Sequence, residues 1–263
     1  KQSWHHRSSA SIYFFNHKFI SFNNRLLHFS YCLYMEIVLI RHGQPEWVKD
    51  GEYTVDPGLT ELGKQQAEKS SSVFIKNSMD QIWVSPLNRA QETIKPFNDR
   101  NIGSEVITFD WLREALDDDE KKLIGESDEK IREYFEHRNT RSFEDWMQTT
   151  HGEYMKGFSE NIIKNLQENL NKIGILSIDD KYDRLFDLSN AKIDNLMIIS
   201  HAGTMSTLMS YFLNLPLYPW TWRKFLPRHA GHTFLRSNEI SSGHFFRMKE
   251  FNNVSFMDDD RLK

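Results

Sequence analysis

The chain has 263 residues, of which 39% are hydrophobic and 13% aromatic, a composition typical of a globular protein and not of a disordered one. Its formal net charge is −4, but residues 1 to 34 contain four Lys or Arg and no Asp or Glu, which leaves 29 basic and 37 acidic residues, a net of −8, in the rest of the chain. Because nucleic acids and anionic membranes attract a positive field, this balance argues against both as partners.

The first 34 residues are rich in His, Ser, Asn and aromatic side chains. Two interpretations compete: an organelle-targeting extension, since such peptides are basic and poor in acids, or translated sequence upstream of a start at Met35. We favour the second, or an unstructured leader, and exclude this segment from the fold. The single cysteine, Cys32, excludes an internal disulfide and fits a reducing compartment, so we expect a cytoplasmic protein. No apolar run approaches the roughly 20 residues of a membrane-spanning helix.

The first predicted element is a buried strand over residues 37–40, which ends in Arg41-His42-Gly43. Ligands of open α/β sheets bind beyond the carboxyl ends of the strands, so Arg41 and His42 are expected where a ligand binds. A polar loop follows, and Thr60 is the predicted N-cap of a helix that runs to about Lys76.

A second strand is predicted over residues 81–84, followed by Ser85-Pro86, which is typical of a helix cap with proline at the first helical position. Arg89 lies one turn inside this helix. A third strand is predicted over residues 105–109. The alternation of strands and helices indicates a parallel sheet with helices on its faces.

From Asp117 to about Lys172 the sequence is charged, with hydrophobic residues at helical spacing, which predicts a helical insertion. Residues 174–194 are predicted to form a loop. A second buried strand, over residues 196–200, then ends in His201-Ala202-Gly203. The remaining predicted elements are a helix over residues 205–213 and closing strands over residues 232–236 and 245–250.

We therefore predict one α/β domain over residues 35–263. Its expected architecture is a three-layer sandwich with a mostly parallel central sheet, helices on both faces and a helical cap insertion at about residues 117–194. The sequence makes no prediction of the oligomeric state.

Two apolar strands that each end in a histidine and a glycine are the strongest feature of the sequence. If both strands lie in one parallel sheet, His42 and His201 meet at the same edge, together with Arg41 and Arg89. Four cationic or potentially cationic groups around one point form an anion site. Because guanidinium groups match phosphate oxygens in a bidentate manner, phosphate is the expected guest.

Four sequence blocks in this order resemble the histidine phosphatase superfamily, also called the phosphoglycerate mutase-like family. They are Leu39-Ile40-Arg41-His42-Gly43-Gln44, Leu59-Thr60-Glu61-Leu62-Gly63-Lys64-Gln65-Gln66-Ala67, Ser85-Pro86-Leu87-Asn88-Arg89-Ala90-Gln91-Glu92-Thr93 and Ser200-His201-Ala202-Gly203-Thr204. Each block is weak alone, but together they cover the chain from Met35 to roughly Thr233.

The resemblance implies that His42 is a nucleophile that forms a phosphohistidine. It makes Arg41, Arg89 and His201 the phosphate pocket, with catalysis by side-chain cations and with no metal or other cofactor. Gln44 and Ala202, which adjoin the two histidine turns, are assigned to substrate binding; for Gln44 a simple turn role is an equal alternative.

The family takes the leaving-group proton from a Glu or Asp after the third strand, and Glu114 resembles that position. A nearby phosphate dianion would raise the pKa of this carboxyl, as a general acid requires. The usual sequence just downstream is replaced here by Ala115-Leu116-Asp117-Asp118-Asp119. Asp117 is therefore the alternative proton donor.

The expected function is a metal-independent phosphomonoesterase that acts on a small phosphorylated metabolite, within the phosphatase branch of the family. Two alternatives stay open: a phosphoryl transfer of the phosphoglycerate mutase type, and a catalytically silent member that binds a phosphorylated ligand or a protein. Residues 45–49, Pro-Glu-Trp-Val-Lys, share a Trp with the mutase pattern but lack its following Asn, which favours the phosphatase.

Overall fold

The computed structural model describes residues 34–49, 52–115, 126, 129–130, 133, 142–179, 183–217 and 224–257. The predicted leader, residues 1–34, lies outside these residues except for its last residue. Asp117, the alternative proton donor, also lies outside them. The described strands are β1 (Glu36–Arg41), β2 (Val48–Lys49), β3 (Glu52–Tyr53), β4 (Met79–Val84), β5 (Gly103–Thr108), β6 (Leu176–Asp179), β7 (Arg184–Asp187), β8 (Asn195–Ser200), β9 (His232–Ile240) and β10 (Gly243–Asn253). The helices are α1 (Glu61–Ser72), α2 (Asn88–Asp99), α3 (Phe143–Met147), α4 (Thr150–Lys172) and α5 (Ala202–Phe212), with a 3-10 turn at Asp110–Leu112.

The fold is α/β, and eight of the strands form one sheet in the order β5-β4-β8-β1-β9-β10-β7-β6. β5, β4, β8 and β1 run parallel to one another. The predicted strands at residues 37–40, 81–84 and 196–200 are confirmed within one or two residues at each end. Their apolar runs are buried, as expected for strands covered on both faces.

The prediction of a mostly parallel sheet is wrong, because β1-β9, β9-β10, β10-β7 and β7-β6 are all antiparallel pairs. The predicted loop over residues 174–194 is also wrong, because β6 and β7 lie within it and belong to the antiparallel half of the sheet. These strands have four residues each and carry polar ends, so they lack the apolar run that marks β1 and β8.

Side chains of β1 alternate between two apolar clusters, one on each face of the sheet. Ile37 and Leu39 belong to a cluster that includes residues of α4 and α5. Val38 and Ile40 belong to the other, which includes residues of α2. The sheet is thus buried from both sides along the strand that delivers Arg41 and His42.

The helix caps next to the strand ends differ from one another. The predicted N-cap at Thr60 is confirmed, because its hydroxyl accepts a hydrogen bond from the Gly63 amide at 3.0 Å. The predicted cap at Ser85 is wrong: α2 begins at Asn88, and Leu87 is its N-cap without a side-chain hydrogen bond. Among the described residues, no helix has the length and apolar character needed to cross a membrane.

Candidate active site

The sheet register brings three strand ends to one point. Arg41 at the end of β1 pairs with Ser200 at the end of β8, and Val84 at the end of β4 pairs with Ile199. The residue that follows each strand therefore lies at a common edge. The ring centroids of His42 and His201 are 5.0 Å apart. The two histidines therefore lie together at this edge, as predicted.

The ring of His42 is buried and oriented by its own turn. Its Nδ1 atom lies 2.7 Å from the carbonyl oxygen of Gly43. Because a carbonyl only accepts hydrogen bonds, Nδ1 carries the proton and Nε2 keeps its lone pair. A Cβ atom on Gly43 would lie 2.4 Å from the Gly63 carbonyl oxygen, so only glycine fits this close approach between the turn and α1. The Gly43 amide donates to the Thr93 hydroxyl at 2.9 Å.

Two guanidinium groups flank the histidines. Arg41 is half-buried, and its Nη1 atom donates to the carbonyl oxygen of Pro227 at 2.9 Å. Arg89 is buried in α2, with Nη1 3.6 Å from a carboxylate oxygen of Asp56. Its guanidinium also lies over the Trp47 ring, at 5.0 Å from the centroid. Both positive charges are thus held in place before any ligand binds.

Both histidines are kept neutral by their surroundings. Burial lowers the pKa of His42 well below its ordinary value, and the neighbouring His201, Arg41 and Arg89 lower it further. Burial likewise lowers the pKa of His201, with Arg89 and Arg41 acting in the same direction. A neutral imidazole retains the lone pair that a nucleophile requires.

Ser85 makes a contact that its assignment as a helix cap missed. Its hydroxyl oxygen lies 2.7 Å from Nε2 of His201, and both residues are buried. The same oxygen accepts a hydrogen bond from the Leu87 amide at 3.3 Å. Among the residues that the structure describes, Nδ1 of His201 has no hydrogen-bond partner.

The Glu114 carboxyl lies at the first turn of α5. Its two oxygens accept from the Gly203 amide at 3.1 Å and the Ala115 amide at 2.9 Å. Removal from water raises the pKa of Glu114, while those amides and the charges of Arg89 and Arg41 oppose the rise. A Cβ atom on Gly203 would lie 2.6 Å from a Glu114 oxygen, so this glycine makes room for the carboxyl.

The two remaining predicted site residues occupy different positions. The Gln44 side-chain oxygen accepts from the Thr60 hydroxyl at 2.9 Å. The backbone N–H group of Gln44 donates to the Gln66 side-chain oxygen at 2.8 Å, so Gln44 is bonded to α1 and its N-cap. Ala202 is half-buried as the first residue of α5, beside His201. Both stay predictions as substrate contacts.

The local sequence pattern did not place His229 at the site, but its ring lies near that of His42. Its ring centroid is 5.6 Å from that of His42. Burial, followed by the charge of Arg41, lowers its pKa to about 4. The next residue, Ala230, has φ of 54°, and its amide donates to the Arg41 carbonyl at 2.9 Å. Two histidines three residues apart, His229 and His232, were the only signal in the sequence.

The described part of the chain contains no group of three or more His, Cys, Asp or Glu residues arranged to hold a metal ion. The positive charges at the strand ends come instead from Arg41 and Arg89. Together with two neutral imidazoles and a carboxyl of raised pKa, they form a site suited to an anion such as phosphate.

A model of the histidine phosphatase superfamily (branch 1) matches residues 37–241 of the chain. A putative phosphoserine phosphatase 2 from Hydrogenobacter thermophilus is 25% identical over 189 residues, which are 69% of this chain and 80% of that protein. A probable phosphatase of Schizosaccharomyces pombe is 33% identical over 84 residues, 31% of this chain and 40% of that protein. The chain thus spans less than half the length of the second relative.

Two solved structures show the same fold at low identity. Phosphoserine phosphatase from Entamoeba histolytica, in complex with 3-phosphoglyceric acid, has a TM-score of 0.58 at 21% identity, covering 85% of this chain and 99% of that one. The mycobacterial glucosyl-3-phosphoglycerate phosphatase has a TM-score of 0.58 at 21% identity, covering 83% of this chain and 98% of that one.

Proposed function

Because the chain belongs to the histidine phosphatase superfamily (branch 1), we propose that it hydrolyses phosphate monoesters through a phosphohistidine formed at His42. The observation that carries this proposal is the 2.7 Å contact between His42 Nδ1 and the Gly43 carbonyl, which leaves Nε2 as the nitrogen with a free lone pair. The lowered pKa of His42 keeps that lone pair available at neutral pH.

In the first step, Nε2 of His42 attacks phosphorus, and the bond from phosphorus to the alcohol oxygen breaks. Arg41, Arg89 and His201 stabilise the phosphoryl oxygens as charge redistributes in the transition state. Since two guanidinium groups supply the positive charge, we propose that the reaction needs no metal ion or other cofactor. Fixed cations also lower the cost of reorganisation during the reaction.

The departing alkoxide takes a proton from Glu114, whose raised pKa favours the protonated form. In the second step, water attacks the phosphohistidine, the N–P bond breaks, and inorganic phosphate leaves. The Glu114 carboxylate accepts a proton from that water, which restores both groups. Asp117 remains the alternative donor, and it is separated from Glu114 in the sequence by Ala115 and Leu116.

The proposed substrate is a small phosphorylated metabolite. This is supported by the names of the similar proteins, which include phosphoserine phosphatases and a sedoheptulose 1,7-bisphosphatase of Saccharomyces cerevisiae. We also propose that the chain forms a three-layer sandwich whose cap, within residues 117–194, reads the group attached to phosphate. In support, α3 and α4 follow the Glu114 loop in the chain. A cytoplasmic location stays the expectation from the single cysteine.

A mutase reaction is kept as the second candidate, because a 2,3-bisphosphoglycerate-dependent phosphoglycerate mutase of Parvibaculum lavamentivorans is 43% identical over 61 residues, 22% of this chain and 29% of that protein. A mutase returns the phosphoryl group to the substrate, whereas a phosphatase passes it to water. Release of inorganic phosphate from 3-phosphoglycerate, compared with formation of 2-phosphoglycerate, separates the two reactions.

The test of the phosphatase is hydrolysis of p-nitrophenyl phosphate in EDTA by the wild-type protein and by His42→Ala. We expect turnover by the wild type and its loss in the variant, with a phosphoprotein trapped only in the wild type when the reaction is quenched in alkaline detergent, in which the N–P bond survives. Equal rates in the two proteins would refute the phosphohistidine mechanism. Binding of phosphate without turnover of any monoester would favour a catalytically silent binding protein.

A further inference from the structure

We propose that Ser85 is a positioning residue that fixes the tautomer of His201, so that a bound phosphate meets an N–H group at Nδ1 of that ring. The inference rests on the proposed function, because it concerns the same phosphate pocket. Ser85 follows β4 and His201 follows the adjacent β8, so the sheet register brings them together. Both residues are completely buried, and their contact is 2.7 Å long.

The direction of this hydrogen bond follows from the other partner of the Ser85 oxygen. The backbone N–H group of Leu87 donates to that oxygen at 3.3 Å, and an N–H group of the backbone can only donate. The serine hydroxyl has one proton of its own to donate. Among the residues that the structure describes, the hydrogen bonds of its oxygen reach only the Leu87 amide and His201 Nε2, so the imidazole nitrogen is the acceptor within reach.

The opposite direction would leave a buried donor without a partner. If His201 carried its proton on Nε2, the Ser85 oxygen would accept twice, and its own proton would have no acceptor in the described part of the chain. A buried hydroxyl proton without an acceptor is costly. The tautomer with the proton on Nε2 is therefore less stable than the tautomer with the proton on Nδ1. The Ser85 hydroxyl therefore donates to Nε2, and the single proton of the neutral ring lies on Nδ1.

Nδ1 of His201 is then a donor with no hydrogen-bond partner among the described residues. The ring stays neutral because burial and the charges of Arg89 and Arg41 lower its pKa. A neutral ring in the other tautomer would present a lone pair at this atom, and a lone pair repels a phosphate oxygen. Ser85 thus decides whether the second histidine attracts or repels the substrate.

The two histidines are consequently held in opposite tautomers. The Gly43 carbonyl keeps the proton of His42 on Nδ1 and leaves a lone pair at Nε2 for attack. Ser85 leaves an N–H group at Nδ1 of His201 for binding. One imidazole gives electrons and the other gives a hydrogen bond, although both are neutral and their ring centroids are 5.0 Å apart.

The experiment reads the tautomer directly in the whole chain, by long-range proton–nitrogen NMR of protein labelled with 15N in its histidines. We expect His201 to show an unprotonated Nε2 and a protonated Nδ1 in the wild type. Ser85→Ala removes the donor and is expected to populate the tautomer with a proton on Nε2. Ser200→Ala is the matched control, because its buried hydroxyl donates to the Leu112 carbonyl at 2.8 Å and makes no hydrogen bond to an imidazole within the described residues.

The second readout is the affinity for inorganic phosphate, measured by calorimetry. In Ser85→Ala we expect binding to weaken roughly 10- to 100-fold, the range for loss of one hydrogen bond to a charged group. Ser85→Thr keeps the hydroxyl and is expected to keep the wild-type tautomer. If Ser85→Ala does not fold, the wild-type spectrum and the threonine variant carry the test.

A proton on Nε2 of His201 in the wild type would overturn the proposal. An unchanged tautomer or an unchanged phosphate affinity in folded Ser85→Ala would do the same. Neither measurement requires turnover. Absence of phosphatase activity in a protein that shows the expected tautomer and binds phosphate would therefore refute the proposed function alone.

Discussion

The Thr204 hydroxyl donates a hydrogen bond of 2.7 Å to the Arg113 carbonyl oxygen, and so holds the backbone that carries Glu114 against the first turn of α5. The Ser200 hydroxyl makes a similar bond to the Leu112 carbonyl at 2.8 Å. The Gly203 amide then binds the Glu114 carboxyl itself. The proposed proton donor is thereby fixed to the helix that follows His201, although the two lie far apart in the sequence.

Thr204→Val removes this bond at nearly constant side-chain volume. We expect turnover of an alkyl phosphate such as glycerol 2-phosphate to fall by about tenfold, the size expected for one lost hydrogen bond that positions a reacting group. Turnover of p-nitrophenyl phosphate is expected to fall less, since its leaving group needs little protonation. Steady-state kinetics on the two substrates measure the difference, and an equal loss on both would show that Thr204 acts on the pocket as a whole.

Glu114→Gln tests the proton donor itself. The variant keeps an acceptor for the Gly203 amide but cannot release a proton, so alkyl phosphates should be turned over about 100-fold more slowly, within the usual range for a general acid. p-Nitrophenyl phosphate should be affected much less. Asp117→Asn is the paired variant, and a selective defect in that protein instead would transfer the role to Asp117.

His229→Leu tests the third imidazole of the site, which lies near the proposed nucleophile, His42. Burial and the charge of Arg41 lower the pKa of His229 to about 4, so the ring is neutral at neutral pH, and we expect it to offer phosphate a hydrogen bond instead of a charge. We expect phosphate binding to weaken by about tenfold, as for one hydrogen bond. The ratio of variant to wild-type affinity should stay constant between pH 6 and pH 8. A ratio that rises with pH would mean that His229 binds as a cation, because only the wild type would then lose a positive charge as the pH rises.

His229→Gln is the matched variant, because its amide retains a donor at a similar reach. Its phosphate affinity should lie closer to that of the wild type than the affinity of the leucine variant does. Equal losses in both variants would indicate that the ring acts by packing and not by donation.

His232 makes stability depend on pH. Its ring is buried between the Ser70 hydroxyl, 2.7 Å from Nε2, and Phe256, and burial lowers its pKa to about 3. The unfolded chain therefore binds a proton at this residue between pH 6.5 and pH 3 that the folded chain does not, so stability is lost as pH falls through that range. From pH 7 to pH 5 this histidine alone should cost about 2 kcal/mol.

The corresponding measurement is urea unfolding of the wild type and His232→Gln at both pH values. The variant is expected to be less stable at pH 7, because it loses the stacking on Phe256, but to lose about 2 kcal/mol less than the wild type on acidification. Parallel losses in the two proteins would assign the acid sensitivity to other groups.

The sequence was sufficient for the parallel half of the sheet and for the meeting of His42 with His201. Runs of buried apolar residues mark β1 and β8, and the residues that directly follow them are fixed by the strands themselves. Arg89 could be placed because it lies in the first turn of the helix after β4. Local patterns carried all of this information.

Contacts between distant segments were beyond reach of such patterns. β6 and β7 are short, and they are strands because β10 provides a partner for β7. Ser85 has the local pattern of a helix cap, but its contact with His201 depends on the register between β4 and β8. His229 reaches His42 because its turn is bonded to the Arg41 carbonyl, through a left-handed conformation at Ala230 that alanine seldom adopts.

The strands that deliver His42, Ser85 and His201 are β1, β4 and β8, and each has a neighbouring strand on both sides. Backbone amides in such strands exchange with deuterium only when the sheet opens as a whole, whereas edge strands can fray separately. Local opening of β5 or β6 would therefore leave the three residues in place. Activity should be lost in denaturant at the same midpoint as the sheet, so that enzyme assays report global unfolding of this protein.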